Sequence, residues 1–276
     1  MDAQRLKNIE LEMLKKFVEI CERLNLRYYL IGGSLLGAIR HRGFIPWDDD
    51  IDVGMPRKDY EKFIKEAQNY LPEYYFVQNR KTDPELLNNY TKIRDSRTTF
   101  IETRVKHRKI NHGVFIDVFP IDFYPDTKIK QICFDLKKIL QKYRLRGAFI
   151  IPEESKHAAH AEFFARAFSL LLRIIYPTTT SVLNAQDKLY KKEKHSTLIA
   201  NLCGSWGKRE ILQASWMNET CDVEFEGMKL KAPKEYDKYL KQVYGNYMKL
   251  PPLEKRVGHH HNEIIDLDKP YTMYMN

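Results

Sequence analysis

Cysteine is scarce in this chain of 276 residues, with four thiols at Cys21, Cys133, Cys203 and Cys221. None stands in C-x-x-C spacing, which argues against a zinc knuckle. No apolar run approaches the roughly 20 residues that a membrane-crossing helix needs. Internal repeats, low-complexity tracts and nucleic-acid recognition motifs are also missing. The opening residues, MDAQRLKNIELEML, are charged and carry no apolar signal core, so the expectation is a cytoplasmic, reduced protein. Apolar residues, by contrast, make up 43% of the chain, enough for a real core and against bulk disorder. The length suits one generous domain, or one domain with a helical appendage. The net charge of +9 fits an anionic ligand, but charge alone does not separate nucleotide, nucleic acid and anionic membrane.

Apolar periodicity near 3.6 predicts a helix over Ile9–Asn25. Arg27–Ile31 reads as a short strand ended by Gly32 and Gly33, and Ser34 as the N-cap of a short helix. Asp50–Val53 has strand alternation closed by Pro56, and Asp59–Ala67 is helical. Strands are expected at Tyr75–Gln78, at Tyr90–Arg94 and at Val114–Phe119, the last stopped by Pro120. Lys128–Lys194 is mostly helical in pattern, broken at Pro152 and Pro177, and a further helix covers Lys234–Tyr244. The expected fold class is α+β, a small mixed sheet flanked by helices with an additional helical region in the C-terminal half. The division is a catalytic core at 1–126 and a mainly helical region at 127–276 that completes the substrate site.

The stretch GFIPWDDDIDVGM concentrates chemistry. Asp50 and Asp52, at i and i+2 on a strand, point to one face, while Ile51 and Val53 point to the other. Two such carboxylates repel unless a cation lies between them. Hard oxygen ligands suit Mg²⁺ or Mn²⁺. Asp117, a lone charge in the apolar run Val114–Phe119, is the candidate third ligand. Asp49 reads more simply as a turn residue, and Asp48 as a residue that positions the loop or reaches the metal through water. Upstream, Gly32-Gly33-Ser34 between strand and helix has the form of a phosphate cradle, with close backbone approach and free N–H groups at a helix start. Alone the tripeptide is a weak signal; joined to the acids it is far more specific.

A Gly-Gly-Ser turn, a following D-I-D and a later strand acid resemble the DNA polymerase beta-like nucleotidyltransferase superfamily. More narrowly, LIGGSLLGAIRHRGFIPWDDDIDVGMPRKDYEKF resembles the signature of the LicD family. So do TKIRDSRTTF, HGVFIDVFPID and YGNYMKLPPLEKR. The resemblance covers about Leu30 to Asp122 and returns near the C-terminus. It implies a nucleotidyltransferase-like fold and transfer of a phospho-alcohol group from a CDP-activated donor to a sugar hydroxyl. Phosphocholine is the most familiar group, and relatives transfer polyol phosphates. It also implies metal on Asp50 and Asp52, with Asp117 as third carboxylate and possible base, and a glycan acceptor that in such systems can be lipid-linked.

On that reading Gly32, Gly33 and Ser34 hold a phosphate, and Lys92 and Arg94, alternating along one strand, face it together with Arg40. Trp47, Tyr244 and Tyr247 are candidates to cage a quaternary ammonium. Lys249, Arg256 and His259 are further substrate contacts on the C-terminal run, and Asp122 is as readily a turn residue as a site residue. Residues Ala158–Tyr176 read first as a core helix and second as an interfacial one. The alternatives are nucleotidyl transfer on the same fold and, remotely, a basic nucleic-acid-binding module. No nucleic-acid partner is expected.

Overall fold

The computed structural model describes residues 3–146, 148, 164, 167–258 and 262–275. The expected break at Pro152, residues 158–163, 165 and 166 of the expected Ala158–Tyr176 helix, and His259 with its two neighbours lie outside them. In chain order the strands are β1 (Tyr29–Leu30), β2 (Asp52–Pro56), β3 (Tyr75–Gln78), β4 (Thr91–Asp95), β5 (Thr99–Glu102) and β6 (Val114–Tyr124). The second half adds β7 (Leu198–Asn201), β8 (Ile211–Gln213), β9 (Thr220–Phe225), β10 (Met228–Pro233) and β11 (Asn262–Asp266). The longer helices are α1 (Ala3–Arg23), α2 (Gly32–His41), α3 (Arg57–Glu66), α4 (Lys128–Arg146), α5 (Thr179–Tyr190) and α6 (Tyr236–Tyr244).

The fold is a mixed α+β arrangement around one mixed sheet. Its path runs β1-β2-β6-β4-β3, with β7 pairing β6 and β8 pairing β7. Only β2 and β6 are parallel; the other pairs of this sheet are antiparallel. Central β6 reads as an almost continuous buried run, as a strand covered on both faces should.

Pro120 does not end β6 as expected; the strand continues to Tyr124. On one side β6 pairs with β4 through Val118 and with β7 from Ile121 onward. Pro120 falls in the gap between those partners, where its missing N–H breaks no antiparallel ladder bond.

Helix α1 buries Leu6, Met13, Leu14, Phe17, Ile20 and Cys21 along one stripe, in contact with the core beneath the sheet. The main apolar cluster draws on residues from Leu6 to Tyr247, so both halves of the chain build it. Beyond residue 190 the chain returns to strands, where the pattern had suggested mainly helix. Alternation explains this for β9, whose residues alternate between exposed and partly or fully buried. The Pro177 break is as expected: Thr178 caps α5 through a reciprocal bond pair with Ser181.

Candidate active site

The site forms where three neighbouring strands present charged residues at one level. Asp52 on β2 is in register with Asp117 on β6, and Asp117 is in register with Lys92 on β4. Side chains directly paired across a sheet share a face, and adjacent strands lie about 4.8 Å apart. Lys92 reaches Asp117 at 2.9 Å and lies 3.8 Å from Glu102. Its ammonium also sits 3.2 Å from the centroid of the Phe115 ring. Lys92 and Asp117 are 2% and 4% exposed, so this is a buried ion pair rather than a surface one.

The glycines bring α2 against the acids. A Cβ on Gly32 would lie 2.9 Å from Asp52 Oδ2, and one on Gly33 would lie 2.5 Å from Asp48 Oδ2. Gly32 also has φ +54°, a conformation glycine alone adopts cheaply. Helix α2 starts at Gly32, with Ile31 at the cap position. Ser34 is therefore not the N-cap expected. Its hydroxyl accepts from the Asp52 N–H at 2.8 Å and fixes β2 to α2. The Gly32 N–H donates to the Tyr239 hydroxyl at 3.0 Å. Of the expected phosphate cradle, Ser34 and the Gly32 N–H are thus already engaged within the protein.

The acids themselves lie in the approach to β2. Oxygens of Asp48, Asp49 and Asp50 come within 4.8 Å of one another, so Asp49, read from sequence as a turn residue, lies beside the other two acids. Burial holds the Asp52 carboxyl well above its ordinary range; Asp50, Asp117 and Asp48 push it further, and Lys92 opposes them. Among the described residues the carboxylates grouped at ligand distance are Asp48, Asp49 and Asp50, not the expected Asp50, Asp52 and Asp117; oxygens of this kind suit a hard divalent cation. The loop that carries them is pinned from behind. Arg42 takes a left-handed φ of 57° after α2. The β9–β10 turn meets this loop: Glu226 accepts from Phe44 N at 3.0 Å, and Phe225 packs on Phe44 at 5.0 Å.

The C-terminal run returns to this loop. Arg256 lies over the Trp47 ring at 5.5 Å, and a Cβ on Gly258 would meet the Trp47 carbonyl at 3.5 Å and Asp49 Oδ2 at 3.6 Å. Arg40 donates to the Tyr247 carbonyl at 2.7 Å. Burial lowers the Arg40 pKa and Arg256 adds to this, while Tyr244 opposes it. The Tyr244 hydroxyl is raised by burial first, then by Tyr239, Asp52 and Asp48, which brings it into the field of the acids.

Three expected contacts do not converge here. Tyr247 gives its hydroxyl to Asp237 at 2.9 Å. Lys249 is exposed. Arg94 is fully buried and bonds Gln78 at 2.8 Å and the Gly113 carbonyl at 2.7 Å. It braces the sheet instead of facing a ligand. Asp122 pairs with Arg57 through two short bonds, five residues along β6 from Asp117.

Comparison with known proteins completes the picture. The family described as LicD/FKTN/FKRP, nucleotidyltransferase domain, matches residues 25–163. The lipopolysaccharide cholinephosphotransferase LicD of Haemophilus influenzae is 33% identical over 258 residues, covering 92% of this chain and 94% of the relative. The chain belongs to the LicD family. Another relative within reach of this LicD chain is the human ribitol 5-phosphate transferase FKRP, 31% identical over 118 residues, which are 41% of this chain and 20% of that protein. The matched family segment holds the glycine turn, the acids, Lys92 and Asp117.

Two residues near the site escape sequence reasoning. Tyr239 gives no signal beyond its place on an amphipathic helix. Glu10 does carry one: it occupies an apolar position of α1, between Leu6 and Met13, and is 2% exposed. Its carboxyl is raised by burial first, then by Asp50 and Asp49.

Proposed function

We propose that this protein transfers phosphocholine from CDP-choline to a sugar hydroxyl of a cell-surface glycan, such as lipopolysaccharide or a teichoic acid precursor. The observation that carries this reading is the near end-to-end likeness to a cholinephosphotransferase, together with carboxylates grouped against a glycine turn. A magnesium or manganese ion would be held by Asp50, Asp52 and Asp117, with Asp48 and Asp49 beside it, and would neutralise charge on the donor diphosphate.

The chain's own residues then do the following. Gly33 and the first turn of α2 hold a donor phosphate against the acids. Asp117, kept in place by Lys92, accepts the proton of the attacking sugar hydroxyl. Arg40 and Arg256 supply positive charge at the mouth of the site for the donor's phosphates. Tyr244 and Trp47 give the choline ammonium aromatic surface; a desolvated contact of this kind is worth about 2 kcal/mol.

A second reading rests on the likeness to a ribitol 5-phosphate transferase over the catalytic segment: the same machinery would transfer a polyol phosphate. Incubation with Mg²⁺ and a panel of CDP-alcohols separates the two. CMP release from CDP-choline is expected. Release from CDP-ribitol or CDP-glycerol instead would favour the second reading, and diphosphate release from a nucleoside triphosphate would favour nucleotidyl transfer.

A further inference from the structure

Helix α4 has two apolar faces. One packs inward through Phe134 and Leu145. The other looks outward: Ile129, Ile132, Leu136, Ile139 and Tyr143 are 77%, 67%, 56%, 49% and 38% exposed. Their spacing of three and four residues places them on one stripe, along a helix of 19 residues or about 28 Å. Tyr143 meets Phe168 edge-on at 5.7 Å, which joins the stripe to Leu170, Leu171, Ile174 and Ile175, all more than half exposed. Most of the exposed large apolar side chains among the described residues fall in this one region. A continuous patch of this kind marks an interaction surface.

The charge around it selects the partner. Lys130 and Lys137 border one side of the stripe, and Lys128 and Lys142 the other; all four are exposed. The one acid of α4, Asp135, is bonded to the Tyr124 hydroxyl at 2.8 Å and to Lys208 at 3.0 Å. Two copies meeting stripe to stripe would bring like-charged borders together. An apolar strip between rows of lysines complements the surface of an anionic bilayer, with the stripe among the acyl chains and the lysines at the phosphates. Among the described residues no helix is long and apolar enough to cross a membrane, so the geometry is one of lying on the surface.

We infer that the outer face of α4, continued by residues 168–175, docks this protein on an anionic lipid bilayer. The surface overlaps the described end of the segment read from composition as a core or interfacial helix and extends it along α4. Just past the C-terminal end of α4, the Ala148 carbonyl accepts from Arg108 at 3.1 Å and ties this region to the rest of the domain. The inference goes beyond the transfer reading, and vesicle binding measures it without turnover.

The test is flotation of the full-length protein with vesicles of phosphatidylcholine, with and without phosphatidylglycerol. Binding is expected to the mixed vesicles only and to weaken with salt. Ile132→Glu combined with Leu136→Glu should lower partitioning by about tenfold or more with an unchanged melting temperature, since both side chains are exposed. Lys130→Glu combined with Lys137→Glu should abolish the preference for phosphatidylglycerol. No vesicle binding, or binding that both variants retain, would overturn the inference. So would a wild-type dimer that Ile132→Glu with Leu136→Glu converts to monomer, because the stripe would then be a self-interface. Slow thiol labelling of exposed Cys133 in the free protein would show the stripe already covered, with the same consequence.

Discussion

Replacing Asp52 with Asn should separate the two consequences of crowding carboxylates in one place. Asp52 faces Asp117 across adjacent parallel strands. At an interstrand spacing of about 4.8 Å and an effective dielectric near 20, the charge on Asp117 alone sets a gross repulsion of about 3 kcal/mol, which Lys92 partly offsets. The Asp52 carboxyl is accordingly raised above its ordinary value of 3.8, by burial first and then by Asp50, Asp117 and Asp48. A raised carboxyl binds its proton more tightly in the folded state than in the unfolded one. Its favourable contribution is complete below the unfolded pKa and is lost as pH rises through the folded pKa. This contribution to metal-free wild type should therefore decline from about pH 4 upward, and Asp52→Asn should lack that part of the pH dependence while keeping the part due to Glu10. At neutral pH, in chelator, the variant should melt above wild type; below pH 4 the two should converge. Added Mg²⁺ should raise the melting temperature of wild type and leave the variant unmoved. Turnover should fall by about 10³-fold or more, since several kcal/mol of charge stabilisation are removed at 1.36 kcal/mol per tenfold. The assay is a set of thermal melts over pH with and without Mg²⁺, beside CMP release. An Asp52→Asn protein that melts below wild type in chelator at neutral pH, or that keeps full activity, would refute this reasoning.

Other perturbations follow from the same geometry. Lys92→Met leaves Asp117 buried without its cation and should cost about 3–5 kcal/mol of stability; denaturant melts of the single variant and of Lys92→Met with Asp117→Asn should show the second substitution restoring part of the loss. Gly32→Ala places a Cβ 2.9 Å from Asp52 Oδ2 at φ +54°, so a loss of about 1–2 kcal/mol and a fall in kcat are expected by melting and initial-rate measurements. Glu10→Gln removes a buried carboxyl raised by burial and by Asp50 and Asp49; by the same sign, metal-free stability above the carboxylate range should increase, and a melting curve against pH checks it.

The central features of the site were legible because they violate a local pattern. Asp52 and Asp117 interrupt strands that are otherwise apolar, and such charges need a partner; Asp50, expected on the same strand as Asp52, lies just before it, because β2 starts at Asp52. The strands at Tyr75–Gln78 and near Thr91 were likewise readable in the sequence. What failed was whatever depends on a neighbour that sequence does not name. Pro120 reads as a strand stop until β4 and β7 are seen to share the flank of β6. Lys92 and Arg94 look equivalent at i and i+2. Register then puts Lys92 beside Asp117, while Arg94 lies opposite Phe115 with its guanidinium bonded to the Gly113 carbonyl. Ser34 looks like a cap because a Ser after two glycines usually is one, yet the helix starts two residues earlier and the hydroxyl serves Asp52. The outward stripe of α4 was hidden for the opposite reason: its periodicity predicts a helix correctly, but two apolar faces look alike until packing chooses one.

The most direct test of the transfer reading follows both products at once. Purified protein, Mg²⁺, CDP-choline and a glycan acceptor are incubated together; CMP is quantified by chromatography and the acceptor by mass spectrometry. CMP and phosphocholine-bearing glycan are expected in equal amounts, both abolished by Asp52→Asn. A glycan that acquires a cytidylyl group, or CMP that accumulates equally with the Asp52→Asn protein, would contradict it.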